Sequence, residues 1–581
     1  MKLLLPFLLL AALPPQEGAP KGIGAWDTGK ASASPIDVAA RNGWTAVAEG
    51  GAFKGDAVLS NGRVSAVFRR ESGAVEMGRL KLSLAGATKL VRASLVEGGK
   101  TSATLEATYK TDKGEATAKF RLKRGEVTVE VAPGAGATKL RVECPSRYVV
   151  LPDFFSDDIV IDAGKIPSPR AELPSEQFLL HLAGKGEAIA MCVFENRDQD
   201  VQCTLSGKGD TRQFTGSEIE FGKDKKIWVA LLEAPQIWHA GEVKAGDSKK
   251  ESKLDWKMPY PAHWRVDFTR ADDLTDSWDL LLQKDSGGDY VKPSWMGAGA
   301  ERLPNSRKRW TTVLKSFKYP CWSDPQGTAY LQPLETEMLT MLGPVLVYPI
   351  NRVPETPLES YSVLDIARGA LGAGPCEYIL DVDNQRSSNK GHATCWTRDY
   401  LVDVYTKGGQ KSQRKEIDQN LDAVLTFVKN IRGRITRYAD FMHQMEEYLA
   451  AQAKAHPELK DSIAALDRIA KEAQRRYHAR EEKIKTPAHV EKLNEDFRKT
   501  LLDYEGPDAV SRVKAYTEPL VEVGDNQDEL AGELRWVVRA IRQKAGLLVA
   551  ADPRMGAIAT EIRTKTHDVL RNPAGHEGAR H

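Results

Sequence analysis

The spacing of apolar positions changes once along the chain, near residue 405. Before it, VLSNGRVSAVF (58–68), ATLEATYKTDKGEATAKFRLKRGEVTVEV (103–131), EAIAMCVF (187–194) and KIWVALL (226–232) alternate apolar with polar residues or run β-branched, with NG, KG and RG pairs as punctuation. Period-two alternation puts every second side chain on one face of a strand, and the glycine pairs mark tight turns. This spacing predicts a large antiparallel β-sandwich rather than alternating βαβ units. After residue 405, Ile417, Leu421, Val424, Val428, Ile431, Ile435, Tyr438, Met442, Met445 and Leu449 recur at intervals of four and three. That is the narrow seam of a long, coiled-coil-like helix. Gly433 within it costs about 1 kcal/mol of helix propensity without breaking the pattern. His456-Pro457 marks a stop. A second helix carries Ile463, Leu466, Ala470, Ala473 and Tyr477 on one face, TPAHVEKL opens a third, and Leu530, Leu534, Val537, Ile541 and Leu548 mark another. The predicted class is α+β: a large antiparallel β-sandwich followed by a C-terminal antiparallel helical bundle.

The first twenty residues, MKLLLPFLLLAALPPQEGAP, place one lysine before an apolar run from Leu3 to Leu13 and end in small residues. This is the pattern of a secretory signal peptide, and the run is too short to span a bilayer. The expected product is an exported protein, periplasmic or extracellular, with no stable membrane insertion. The expected organisation is a signal peptide at 1–19, the sandwich at 20–255, an aromatic-rich and mostly β extension at 256–404, the bundle at 405–571 and a disordered tail at 572–581.

Composition adds exclusions. The 581 residues are 41% hydrophobic and 28% charged with a net charge of +2, so no basic field argues for nucleic acid. The chain has no Walker loop, no H-E-x-x-H, no C-x-x-C pair and no G-x-S-x-G. Its six cysteines permit three disulfides in an oxidising compartment.

Residues 58–77, VLSNGRVSAVFRRESGAVEM, resemble the opening of galactose-mutarotase-like, or supersandwich, domains, and 103–131 is similar to the long hairpins of that superfamily. The superfamily includes sugar epimerases and accessory domains of glycoside hydrolases and polysaccharide lyases. The resemblance therefore implies a sandwich fold at about 36–260 and a sugar as ligand class. The superfamily's catalytic pattern of two histidines and a late glutamate does not transfer, because neither His181 nor His239 lies in a matching motif. Residues 340–450 resemble an uncharacterised family of exported bacterial proteins.

Candidate chemistry concentrates in 256–330, which holds six of the twelve tryptophans. Aromatic rings pack on the C–H faces of pyranoses as readily as in a core. Trp264, Trp295, Trp322 and Tyr319 are candidate substrate-binding residues, with Arg398 as a further one. Within HWRVDF, strand alternation puts His263, Arg265 and Asp267 on one face, about 7 Å apart per step. They form a candidate catalytic row with an arginine suited to a uronate carboxylate or a sulfate, or else a salt-bridged strand. LPDFFSDDIVID clusters acids of the kind glycoside hydrolysis uses, and Asp153, Asp157 and Asp158 also supply oxygen ligands suited to calcium. A turn-rich acidic loop is the plainer reading.

The stretch from Cys376 to Cys395 begins like an EF-hand loop at Asp381. It fails at Arg386, where glycine is required, and at His392, where a glutamate is required. Zinc on Cys376, His392 and Cys395 is an alternative, but an oxidising compartment favours oxidation over a thiolate site. EYILDVD reads as a strand, QRSSNKG as a turn and HATCWTRDYL as a returning segment, so a Cys376–Cys395 disulfide closing the loop is expected, with no cofactor beyond the calcium option. Two functions follow as expectations. One is an exported carbohydrate-binding or carbohydrate-active protein acting on a polysaccharide or glycan. The other is a non-catalytic envelope scaffold whose bundle binds a protein partner.

Overall fold

A computed structural model describes residues 23–41, 43–152, 157–173, 177–196, 199–260, 262–280, 290–292, 301–303, 320–324, 326–336, 339–352, 377–382, 385–390, 393–481, 484 and 486–571. The chain divides into two compact units, Met1–Pro152 with Asp158–Gly372, and Asp153–Asp157 with Ala373–His581. The fold is α+β, as the spacing predicts.

In the first unit the alternating stretches become antiparallel strands. Ala87–Gly98, Ser102–Thr111, Gly114–Lys123 and Thr128–Pro133 follow one another as neighbours. The sheet continues through Ile227–Glu233, Ala188–Phe194 and Phe178–Ala183. A second set runs from Gly24–Asp27 through Ala57–Ser60, Ser65–Phe68 and Val75–Met77 to Leu80–Leu84. One long strand, Lys139–Leu151, belongs to both. Its first half pairs with Leu80–Leu84 and Gln213–Glu220, and its second half with Phe178–Ala183 and Ile159–Asp162. The register shifts between Glu143 and Ser146, and a bulge of this kind is how a strand bends from one sheet into the other at a sandwich corner. The inward residues of the two sheets meet: Phe68 and Phe120 pack edge to face with centroids 5.0 Å apart.

Two smaller sheets follow in the same unit. His239–Val243, Met341–Arg352, Ala262–Arg270 and Thr275–Asp279 form one, in that order; Ser252–Lys257, Thr328–Leu331 and Cys321–Ser323 form the other. Trp256, Trp264, Val266, Phe268, Leu331 and Val345 share one buried cluster drawn from both sheets.

In the second unit the apolar seam becomes the long helix Arg414–Ala455, and all ten seam residues are buried. A Cβ at Gly433 would meet nothing, so this glycine faces open space. We label the helices α1 (Ala393–Thr406), α2 (Arg414–Ala455), α3 (Lys460–Arg480), α4 (Pro487–Thr500), α5 (Ala509–Ala551) and α6 (Gly556–Arg571). Arg498 pairs with Asp418, and Lys429 with Glu491, so α4 runs antiparallel to α2. Arg480 pairs with Glu533 at 2.7 Å and Arg476 lies over Trp536, so α3 runs antiparallel to α5. Among the described residues no helix is long and apolar enough to cross a membrane.

Three expectations change here. Helical structure begins at Ala393, before the expected boundary at 405, because Thr394, Thr397, Leu401, Val404 and Tyr405 are buried at helical spacing. The returning segment HATCWTRDYL is thus helix from Ala393 onward. QRSSNKG is not a turn: Gln385–Lys390 is a strand paired with Glu377–Val382, in a register that sets Val382 opposite Gln385. Nor do the cysteines form three disulfides, because Cys144, Cys192, Cys203 and Cys321 are free and buried. Burial pushes the thiols of Cys144 and Cys203 up to about 12, and these cysteines act as small apolar groups. Cys376 lies outside the described residues, as does the side chain of Cys395 on α1, and so therefore does their expected pairing.

Candidate functional site

The row His263, Arg265 and Asp267 lies on one strand, and register explains what surrounds it. Tyr348, Arg265 and Asp279 are opposite one another across three adjacent strands; in the next row Asp267 is opposite Ser277. Asp158, at the start of Ile159–Asp162, joins them: its backbone N–H donates to Ser277 Oγ at 2.7 Å. Arg265 Nη1 lies 3.3 Å from Asp158 Oδ1, and its Nε lies 3.5 Å from Asp279 Oδ1. Tyr348 Oη contacts Asp158 Oδ2 and lies 2.9 Å from Asp267 Oδ2.

A phenol carries one proton, so it donates to one of these carboxylates, and the other contact needs a second proton. Burial, and then the charge of Asp158, raise the Asp267 carboxyl well above the ordinary carboxylate range; Arg265, Ser277 and Tyr348 pull the other way and do not prevail. Burial and the same two carboxylates keep Tyr348 protonated. Burial works against the Arg265 charge, but Asp158 and Asp279 outweigh it. Tyr348 Oη thus sits between two carboxyl groups, Asp267, whose hold on a proton is strengthened, and Asp158, which Arg265 holds. Arg265 is 4% exposed, Asp267 1% and Asp158 0%, so the group is enclosed. Its chemistry is that of an internal clasp rather than of a surface presented to a polysaccharide. His263 is likewise buried, at the end of the same face.

The other candidates are dispersed. Trp264 is 0% exposed, packed against Trp256 at 4.9 Å between centroids, and Trp322 is buried and stacked on Tyr330. These rings fill the core and offer no free face to a sugar. Trp295, Tyr319 and Asp153 lie outside the described residues. Asp157, which groups with the helical unit, accepts from Arg476 Nη2 at 2.6 Å. The acids expected to share a calcium ion thus face different basic partners. Arg398 Nε donates to Asp399 at 2.8 Å on α1.

Sequence reasoning did not single out a second site, a cleft of about 400 Å³ on the outward face of the sandwich. Its walls include Val96, Glu97, Thr104, Lys119, Arg121, Glu130, Ala132 and Lys226. The alternation that buries Leu95, Leu105, Phe120, Leu122, Val129 and Val131 turns these residues the other way. Register sets Glu97, Thr104, Arg121, Glu130 and Trp228 in a row across five adjacent strands. Thr104 Oγ1 donates to Glu97 Oε2 at 2.6 Å, Ser102 also donates to Glu97, and Arg121 Nη2 lies 3.4 Å from it. Lys226 Nζ donates to Glu130 at 2.7 Å, and Trp228 Nε1 donates to its other oxygen at 3.3 Å. The hydroxyl bonds hold the Glu97 carboxyl below its usual range. The signal for this site was the period-two pattern of residues 103–131; what it lacked was the pairing register.

In comparisons with known proteins, no family model matches the chain and no curated protein matches it. Among the described residues no cluster of three or more His, Cys, Asp or Glu is arranged to hold a metal ion.

Proposed function

We propose that the protein is an exported, non-catalytic glycan-binding protein that takes its ligand in the sheet-face cleft. One observation carries this reading: a cleft of about 400 Å³ crossed by a polar row on adjacent strands, within the size of ordinary small-ligand sites. Rigid strands suit the recognition of hydroxyl-bearing ligands, because the polar groups are fixed before the ligand arrives. The reading keeps the galactose-mutarotase-like resemblance and the export signal as supports. It moves the site away from the His263 row, whose enclosure leaves no approach for a polymer. The test is a glycan array with the full mature chain. Saturable binding that is lost in Ala132→Leu, which fills the cleft, is expected; binding unchanged by that substitution removes the cleft from the reading.

A second reading, a scaffold using the helical bundle, draws support from the burial of Trp256, Trp264 and Trp322. The large exposed hydrophobics among the described residues are Val91, Val96 and Leu342, none of them in the bundle. A partner there would meet charged side chains, and its binding would weaken with added salt.

A further inference from the structure

The hydrogen-bonding capacity left over in the cleft is unevenly divided, and the division points to the ligand's charge. Every carboxylate oxygen of Glu97 and Glu130 already accepts a bond. Glu97 Oε1 takes Ser102 and Arg121, and its Oε2 takes Thr104; Glu130 Oε1 takes Lys226, and its Oε2 takes Trp228. The donors of the cleft are not all so engaged. Arg121 Nε is shielded from water and, among the described residues, has no hydrogen-bond partner. A shielded N–H without an acceptor costs free energy, which a shift of the guanidinium onto a bound anion would recover. Lys119 carries three N–H groups and lies 3.7 Å from Glu106, with a side chain 55% exposed. Lys226 uses one donor on Glu130.

We infer that the cleft binds the anionic group of an acidic saccharide, a carboxylate or a sulfate, between Arg121 and Lys119. This inference rests on the glycan-binding reading and adds the charge of the ligand to it. A neutral sugar hydroxyl also accepts, but a charged oxygen makes the stronger bond to guanidinium and ammonium. The surrounding Glu97 and Glu130 do not repel such a group outright, since each carboxylate is already bound by a cation within the cleft. Register supplies the geometry: Lys119 and Arg121 are two residues apart on one strand, on the same face, about 7 Å apart, a span that one hexuronate unit bridges.

The experiment is isothermal titration of the full mature chain with three probes of equal length: trigalacturonate, a sulfated galactotriose and unsubstituted galactotriose. The acidic probes are expected to bind about tenfold or more tightly than the neutral one, and to weaken as salt is added. Arg121→Ala should cost about tenfold or more for the acidic probes and abolish their preference over the neutral one. Lys119→Ala, at an exposed position that does not threaten folding, should weaken the acidic probes more than the neutral one. Equal binding of neutral and acidic probes overturns the inference while leaving glycan binding in place. Acidic binding that survives both substitutions also overturns it, and moves the site elsewhere. Failure of all three probes, together with an empty glycan array, overturns both readings.

Discussion

His181 and Ser217 meet across the interior of the sandwich, with Nε2 2.7 Å from the serine Oγ. His181 stands on Phe178–Ala183 and Ser217 on Gln213–Glu220, strands that flank the shared strand on different halves. The other ring nitrogen, Nδ1, lies 2.9 Å from Ser146 Oγ, just past the bulge. One imidazole therefore ties both sheets to the corner that joins them. In the neutral ring one nitrogen donates to a serine oxygen and the other accepts from a serine hydroxyl.

Burial pulls His181 down to about 4, from an ordinary value of 6.5. Below pH 6.5 the unfolded chain takes up a proton that the folded chain refuses until about pH 4. Stability present above 6.5 is therefore lost through that window, by about 3 kcal/mol. His181→Gln should be less stable at pH 7 by about 1–3 kcal/mol, yet lose less on acidification. Urea unfolding of both proteins from pH 7 to pH 4 measures the difference in slope.

Asp158 and Asp267 should respond differently to substitution. Asp267 has a raised value in the fold, so its contribution is complete below about 3.8 and declines as pH rises towards its folded value. Asp267→Asn removes that decline, and its melting temperature should gain on the wild type as pH increases. Asp158→Asn takes a carboxylate from the buried Arg265, and should cost about 3–5 kcal/mol at neutral pH. If the Asp267 variant instead loses ground with rising pH, the upward shift of Asp267 is wrong.

Trp264→Ala should cost about 3–5 kcal/mol, because it empties a core position against Trp256 and Phe268. Glycan binding measured below the midpoint of unfolding should stay as in the wild type. A loss of binding with stability intact would return this ring to the ligand site.

The helical unit should fold from a fragment spanning 393–571. One spanning 410–571 lacks α1, whose Leu401, Val404 and Tyr405 share a core cluster with Phe497, Leu501 and Val513. The shorter piece should melt earlier by circular dichroism. In the longer one, Met442→Asp should cost several kcal/mol by charging the buried seam, on the order of the penalty for an unpaired buried polar group. Equal melting of the two fragments would make α1 dispensable.

The sequence revealed those elements whose signal is local. The α2 seam was legible because ten residues repeat one interval, and the hairpin from 103 to 123 because alternation and a KG pair occur together. Helix α1 was hidden because its buried face begins with Thr394 and Thr397, which read as polar in a string of letters. The alternation of HWRVDF correctly separated Trp264, Val266 and Phe268 from His263, Arg265 and Asp267. It carried no information on whether the polar face met water, because that depended on Tyr348 and Asp158, respectively some eighty residues later and a hundred earlier. The tryptophans misled for a related reason: composition records how many rings there are, while the packing of two small sheets decides which way they point.

The strand Lys139–Leu151, threaded through both sheets, leaves the sandwich without a seam along which it can open. In many two-layered folds one layer frays and its amides exchange with solvent while the other stays closed. Here the amides on either side of the bulge lie on one continuous segment, and releasing either sheet withdraws an edge from its companion. Deuterium should therefore enter both layers in the same rare event, at one shared rate, and a protease waiting for a partly opened intermediate would find none to cut.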